Sequence, residues 1–303
     1  MTRLGIPPLT SNNVADGRAA AVPATPADAA RPDSPATGGG GSPANGWSPA
    51  GILANGWARL LLGLIIPVAV LSAWQLTTAA GVFSVVQLPP PGMVLEAGLD
   101  LLQRGQLGQH IAISTQRVLI GFAAGAALGL AFGSLVGLSR FADALLAPTI
   151  GALRAVPSLA WVPLLILWMK IGEDSKITLI LIGAFFPVFT TVSLALRHVD
   201  RNLVEAARAF GLKGVKLLTT VQLPAVVPAV FSGLRLALAQ AWLFLVAAEL
   251  IASSMGLGFL LTDSQNNGRT DRLLLAIVLL AVIGKITDAL LGLAEKWAVK
   301  RWA

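Results

Sequence analysis

Long apolar runs alternate with short polar segments from Leu60 to the end of the chain. A helix that crosses the hydrocarbon core of a bilayer needs about 20 apolar residues, which is longer than most helices of soluble proteins. The pattern therefore predicts membrane-spanning helices. The six predicted spans cover about 58–80, 111–138, 156–171, 177–197, 225–252 and 273–295.

The third predicted span is short and contains Pro157 and Pro163. Proline removes a backbone donor from a helix, but neighbouring helices in a membrane can satisfy the carbonyl groups that it frees. We therefore expect a kinked or tilted helix here.

Composition agrees with a membrane protein, because 55% of residues are hydrophobic and only 12% are charged. A soluble domain has about twice that charged fraction. The net charge is +7, with eleven Lys and Arg on the predicted inner segments and five on the outer ones. This asymmetry predicts cytoplasmic N- and C-termini, so the charge is explained by topology and gives no support to nucleic-acid binding.

The absence of Cys excludes disulfides, thiolate metal sites and a Cys nucleophile.

Glycine recurs at every fourth position along the second predicted span. Positions four residues apart lie close together on one helix face, so these glycines form a smooth groove that another backbone can approach. We expect tight packing within the bundle, and a sliding surface used in gating is the alternative. The predicted packing residues are Gly121, Gly125, Gly129, Gly133 and Gly137.

Few ionisable residues fall inside the predicted spans, where such groups need a partner or a wet cavity. Arg235 and Asp288 lie at similar depths from the inner side, which predicts an ion pair between them. Arg117 and Lys285 are instead candidates to line an anion path.

The loop between the fourth and fifth spans predicts a short amphipathic helix. Asp200 is a good N-cap, and Gly211 suits the turn that ends a helix. Leu203, Ala207 and Phe210 form one apolar stripe, and the opposite face is charged. Such a helix is suited to docking on a cytoplasmic partner, and the alternative is a helix lying among lipid headgroups.

The same loop resembles the EAA loop of ABC-importer permeases in residue type and spacing. The matching residues are Glu205, Ala206, Ala207, Gly211, Leu223 and Pro224. The resemblance covers about 58–303. It implies an all-α membrane protein with six transmembrane helices in the type I ABC-importer permease fold. It also makes these residues the ones expected to couple the permease to the ATPase, with a coupling helix at about 201–211.

Further segments resemble the aliphatic sulfonate, nitrate and taurine branch of these permeases, and aliphatic-sulfonate permeases most closely. They include Leu88-Pro89-Pro90-Pro91, the segment Ala248-Glu249-Leu250 and the segment 283–288. The resemblance implies import of a small organic oxyanion, with aliphatic sulfonate expected and nitrate, taurine or bicarbonate as alternatives.

The resemblance also implies how the machine is assembled. Two separate ATP-binding cassette subunits hydrolyse ATP, since this chain lacks the Gly-x-x-x-x-Gly-Lys-Ser/Thr phosphate loop. A second copy of the chain completes the pore, and a periplasmic substrate-binding protein delivers the substrate.

The expected location is the bacterial inner membrane, within the lipid bilayer, and no enzyme activity, cofactor, metal or nucleic acid is expected. An ATP-independent channel is a remote alternative. A membrane-embedded hydrolase is disfavoured because the two histidines, His110 and His198, lie at span ends.

An oxyanion path needs N–H or O–H donors with modest positive charge, so that binding is weak enough for release. The candidate path residues are Arg117, Ser158, Trp161, Thr190, Thr191, Gln240 and Lys285.

Four regions are expected along the chain. Residues 1–57 are rich in Ala, Pro, Gly and Ser without apolar periodicity, which predicts a disordered cytoplasmic tail with a passive rather than a regulatory role. The tail has no apolar core of the kind found in secretory signals. The first span and a periplasmic segment cover 58–110, the transporter transmembrane domain covers 111–295, and a basic cytoplasmic C-terminus covers 296–303.

Overall fold

The computed structural model describes residues 56–302, and every regular element within them is helical. Residues 1–55, which are most of the predicted disordered tail over 1–57, lie outside the described residues. The elements are α1 (Gly56–Ala79), α2 (Pro91–Gln103), α3 (Gln106–Leu138), α4 (Arg140–Ala155), a 3-10 turn (Ser158–Trp161), α5 (Val162–Met169), α6 (Glu173–Arg197), α7 (Arg201–Ala209), α8 (Gly214–Leu217), a π-helical turn (Leu218–Gln222), α9 (Leu223–Ala252), α10 (Leu257–Asn266) and α11 (Thr270–Trp302).

Five of these helices are long and apolar enough to cross a membrane: α1, α3, α6, α9 together with α8, and α11. They coincide with five of the six predicted spans. Their ends lie within a few residues of the predicted ends, except where α8 extends the fifth span back to Gly214 and where α11 continues to Trp302. The predictions of these five spans are confirmed.

The third predicted span is not a continuous helix over 156–171, and that prediction is wrong in its bounds. Helix α4 ends at Ala155, and the axis turns by 88° before the 3-10 turn and α5 follow. Val156 is extended because the ring of Pro157 disfavours a helical residue before it. The bent pair Arg140–Met169 can act as one broken span, which gives up to six in all.

Helices α3 and α6 pack with their backbones in close contact. A Cβ atom at Gly125 would lie 2.5 Å from the carbonyl oxygen of Leu181, and one at Gly129 would lie 2.7 Å from the Cβ of Val188. Gly121, Gly133 and Gly137 face α6 in the same way, through Ile180, Val192 and Leu196 respectively. The five glycines therefore form one continuous contact surface for α6.

Helix α9 packs against another side of α6, so α6 lies at the centre of the bundle. A Cβ at Gly233 would lie 2.8 Å from the Cβ of Thr191, and Gly183 leaves space for the ring of Phe244. Ile180 of α6 and Leu245 of α9 are completely buried. The three helices α3, α6 and α9 thus form the core that positions the remaining elements.

Helix α2 is held beside α11 by polar contacts and a small apolar core. Asp100 accepts hydrogen bonds from Arg104 Nε (2.8 Å) and Arg272 Nη2 (3.0 Å). The hydrogen bond from Arg104 is the main reason that the pKa of Asp100 lies below its usual value. Leu101 and Leu275 are buried beneath these charges. Helix α1 is tied to the segment just before α2 by Trp74, whose Nε1 donates to the carbonyl of Pro89 (3.0 Å).

Candidate functional sites: the α7 surface and the buried charge cluster

Helix α7 begins and ends as its sequence predicts. The Oδ1 of Asp200 accepts a hydrogen bond from the backbone N–H of Asn202 (2.9 Å), which caps the first turn. Gly211 has φ 83°, and a Cβ there would meet no atom within 4 Å. Glycine is therefore required at this position by backbone conformation rather than by space. The helix is a defined nine-residue element between α6 and α8.

The predicted apolar stripe of α7 is only partly buried. Ala207 is buried against the bundle, whereas Phe210 is 88% exposed and Leu203 is 45% exposed. The backbone N–H of Phe210 still donates to the carbonyl oxygen of Ala206 (3.2 Å), so the helical spacing of the three residues is kept and they differ in exposure. The outcome is a helix that anchors itself with one small side chain and leaves two large apolar side chains exposed.

A groove of about 510 Å³ runs beside α7, between the end of α3, the start of α4 and the end of α6. Glu205 and Arg208 line it, and Arg197 forms an ion pair with Asp143 across it. Ala206 is exposed on the same helix. The α7 surface, which we define as Arg201–Gly211 with this groove, therefore combines charged side chains with exposed Leu203 and Phe210.

The remaining predicted coupling residues mark the start of α9. Leu223 and Pro224 follow directly on the π-helical turn Leu218–Gln222. Proline has no backbone N–H, and in the first turn of a helix that group would have no acceptor within the helix. Both residues lie after α8 in the chain and outside α7 itself, so their role in coupling stays a prediction.

Residues 125–300 match the family described as "Binding-protein-dependent transport system inner membrane component". The chain belongs to this family.

Full-length relatives agree with the family match. The putative aliphatic sulfonates transport permease protein SsuC of Bacillus subtilis (strain 168) is 40% identical over 245 residues, which are 81% of this chain and 88% of that protein. The taurine transport system permease protein TauC of Escherichia coli (strain K12) is 35% identical over 223 residues, 72% of this chain and 81% of that protein.

A solved structure supports the fold. A chain from the inward-facing conformations of the MetNI methionine ABC transporter aligns with a TM-score of 0.55 and 22% identity, over 65% of this chain and 96% of that one. The chain is therefore an ABC-transporter permease with the type I permease fold.

Two candidate path residues of this permease lie in neighbouring cavities. Trp161 lines an apolar cavity of about 370 Å³, and its Nε1 is buried without a hydrogen-bond partner among the described residues. Thr190 lines a second cavity of about 260 Å³, where its Oγ1 accepts a hydrogen bond from Arg154 (3.0 Å). Ile150 lines both cavities. Both residues thus stand beside open space in the same part of the permease.

The other candidate path residues are spread over the bundle. Thr191 packs against Gly233, and Ser158 and Gln240 are half-buried. Lys285 is 79% exposed and lies 3.6 Å from Asp288. Arg117 lies near the opposite end of α3 from α7, in the cluster described next. A transport role for any of these residues stays a prediction.

Arg117 is the centre of a charge cluster at the end of the bundle opposite α7. Its side chain is 5% exposed and pairs with two carboxylates. Nη1 donates to Glu249 Oε1 (2.6 Å), while Nε and Nη2 both donate to Glu173 (2.6 Å each). Nη1 also lies 2.7 Å from the carbonyl oxygen of Met255. Because its donors are taken by protein groups, Arg117 offers few of them to a passing oxyanion.

The same cluster holds the start of α10. The backbone N–H groups of Gly256, Leu257 and Gly258 donate to His110 Nδ1 (3.0 Å), Ser114 Oγ (2.8 Å) and Glu249 Oε2 (2.7 Å), respectively. Gly256 has φ 127°, and a Cβ there would overlap the Glu249 carboxylate. The side chains of α3 and α9 thus satisfy backbone donors that the first turn of a helix cannot satisfy itself.

A second ion pair joins α9 to α11. Arg235 Nε and Nη2 donate to the two carboxylate oxygens of Asp288 at 2.8 and 2.9 Å, and Glu295 lies 3.6 Å from the guanidinium. The ion pair predicted from the equal depths of these two residues is confirmed. Trp242 Nε1 donates to Thr287 Oγ1 beside it (3.0 Å).

Sequence reasoning did not identify Glu249 as the partner of Arg117. Glu249 is 1% exposed, and its carboxylate also accepts a hydrogen bond from Ser114 Oγ (2.8 Å). One signal could have found it: an acidic residue late in a predicted span needs a cationic partner at the same depth. The spacing of His110, Ser114 and Arg117, four and three residues apart, places all three on one face of α3.

Ser114 and its neighbour Thr115 allow a matched test of the cluster. Ser114→Ala removes a donor to Glu249 and leaves the N–H of Leu257 unpaired, so we expect a loss of about 1–3 kcal/mol in stability. Thr115→Val is the control, because its buried hydroxyl has no partner among the described residues. Thermal unfolding of the purified permease in detergent, followed by tryptophan fluorescence, measures both. Equal melting temperatures for the two variants would contradict the arrangement.

Proposed function

We propose that this permease is the translocation subunit of an ATP-driven importer, and that α7 is the helix through which the ATPase moves it. The observation that carries the proposal is the exposed Phe210 at the end of a helix that is otherwise capped and anchored. Leu203 on the same helix is 45% exposed, and exposed apolar side chains grouped beside a charged groove are typical of a surface that a partner covers.

The charges beside α7 support a cytoplasmic position for this end of the bundle. Positively charged residues are enriched on the cytoplasmic side of membrane proteins. Those at or near the α7 surface are Arg140, Arg197, Arg201, Arg208, Lys213 and Lys216. With this orientation α1 begins and α11 ends in the cytoplasm, and the Arg117 cluster lies on the outer side of an inner membrane.

In this assembly ATP is hydrolysed by two separate ATP-binding cassette subunits, each bound to the α7 surface of one permease copy. Two copies form the path, and a substrate-binding protein delivers substrate to the outer side. The family description names both features that support this, a binding protein on which transport depends and an inner membrane component. ATP binding would then shift the two copies between inward- and outward-open arrangements.

We propose aliphatic sulfonates as the substrate class. SsuC, which is described as a putative aliphatic sulfonates permease, is 40% identical over most of both chains. TauC, a taurine permease, is 35% identical, so taurine, itself a sulfonate, is the first alternative. Nitrate and bicarbonate are further alternatives. Thr190 and the adjacent Arg154 offer donors beside an open cavity, as a weakly held oxyanion needs.

The docking role of α7 predicts a specific defect in Phe210→Ser. Burying a phenylalanine at an interface contributes about 1.5–3 kcal/mol, so the variant is expected to bind the ATP-binding subunit at least tenfold more weakly. Co-purification of the two subunits at graded concentrations measures this. Phe83→Ser, which replaces a 45% exposed phenylalanine between α1 and α2, is the matched control and is expected to bind normally. Wild-type binding by Phe210→Ser would contradict the proposal.

Uptake by the complete complex tests the substrate class. Liposomes containing permease, ATP-binding subunit and binding protein are expected to import a labelled alkanesulfonate only with hydrolysable ATP. An excess of unlabelled alkanesulfonate should block this uptake, and taurine, nitrate and bicarbonate should block it less. Uptake that continues with a non-hydrolysable ATP analogue would favour an ATP-independent channel. Uptake blocked only by nitrate or bicarbonate would overturn the sulfonate assignment.

A further inference from the structure

We propose that the Arg117 cluster is a charge lock on the end of the bundle opposite α7, and that its Arg117–Glu173 arm opens during each transport cycle. The inference rests on the proposed function, because only a transporter that alternates between two arrangements needs an end that opens. It assigns Glu173 a positioning role that neither the family description nor the relatives' names state.

The Glu249 arm of the lock is permanent. The Glu249 side chain has no exposed surface, and it accepts hydrogen bonds from Arg117, Ser114 and the N–H of Gly258. Breaking this arm would leave a buried charge unpaired, which strongly destabilises a folded protein. It would also free the first backbone donors of α10. The start of α10 therefore remains fixed to α3 and α9.

The Glu173 arm is built to be reversible. Glu173 is 56% exposed, although it forms two hydrogen bonds of 2.6 Å with Arg117 and one of 3.0 Å with Lys176. It borders an open cavity of about 300 Å³, which is also lined by Ile113, Gln116, Ile177 and Met255. Water can replace Arg117 around an exposed carboxylate, so this arm costs far less to open than the Glu249 arm.

The arm is placed where a movement of the chain can act on it. Glu173 is the first residue of α6. The chain enters it from the bent pair Arg140–Met169 through Lys170, the one non-glycine residue with positive φ (62°) among the described residues. From the second turn of α6 onward, Gly121 and Gly125 hold α6 closely to α3. Opening the arm would therefore release only the first turn of α6 and the bent pair before it.

The lock also explains why Arg117 forms ion pairs with two carboxylates of such different exposure. One carboxylate, Glu249, keeps the arginine neutralised in both arrangements. The other, Glu173, determines whether α6 is tied to α3 at this end. A single buried arginine paired only with Glu173 would be left as an isolated charge at every opening.

Cysteine labelling tests the arm directly, because the chain contains no cysteine of its own. Ile177→Cys places a thiol in the half-buried cavity lining behind Glu173. A charged, membrane-impermeant maleimide is the probe, applied to the complex with the ATP-binding subunit. Adding Glu173→Gln should raise the nucleotide-free labelling rate about fivefold, the change expected when one ion pair with an exposed carboxylate is lost. Asp174→Asn, the adjacent exposed carboxylate with no ion pair among the described residues, is the matched control and should change nothing.

The nucleotide response tests whether the arm opens in the cycle. Trapping the complex with ATP and vanadate should raise labelling of Ile177→Cys alone towards the rate of the Glu173→Gln variant. In transport assays, Glu173→Gln should import fewer substrate molecules per ATP hydrolysed than Asp174→Asn. A variant that is merely less stable would lose uptake and hydrolysis in proportion.

Three results would overturn the proposal: equal labelling of Glu173→Gln and Asp174→Asn, labelling unchanged by vanadate trapping, or a normal ratio of import to hydrolysis in Glu173→Gln. A failure of the proposed function has a different signature. In that case the wild-type permease would not bind the ATP-binding subunit, while the nucleotide-free labelling comparison would still decide whether the arm holds α6.

Discussion

The close approach of α3 and α6 is the constraint on which the rest of the bundle depends. Five glycines on one face of α3 bring the two backbones together, and α6 then presents its other sides to α9. Because a Cβ at Gly125 would overlap the backbone of α6, the two helices pack at backbone contact distance, and separating them would lose most of this contact. They are therefore expected to move as one body that reaches from the α7 surface at one end to the Arg117 cluster at the other.

The two ends of this body differ in how they treat polar groups. At the α7 end the charges lie at the surface around a groove, and Phe210 and Leu203 are exposed. At the opposite end Arg117 and Glu249 are buried, and nearly every donor and acceptor is paired within the protein. A partner can thus push on one end while the other keeps α3, α9 and α10 in register, which suits a subunit that converts movement at one side into opening at the other.

Much of this fold could be predicted from the sequence, because its strongest signals are local. Five spans, the cap at Asp200, the turn at Gly211 and the Arg235–Asp288 pair follow from apolar length, residue type and depth. The bent pair could not be placed, since Pro157 marks a break without fixing its angle of 88°. The Arg117–Glu249 contact also escaped, because it joins residues 132 positions apart through a crossing of α3 and α9 that no local pattern specifies. The exposure of Phe210 also escaped, because spacing along a helix does not determine how deeply each side chain of a stripe is buried.

The central claim, that backbone contact between α3 and α6 holds the bundle together, is tested most directly by adding a single methyl group. Gly125→Ala would place a Cβ 2.5 Å from the Leu181 carbonyl oxygen, whereas a Cβ at Gly284 in α11 meets no atom within 4 Å. Overpacking of this kind costs about 1–3 kcal/mol. The thermal unfolding of the two purified variants in detergent should therefore differ, with Gly125→Ala several degrees below wild type and Gly284→Ala at or above it. Equal unfolding temperatures for the two variants would contradict the account.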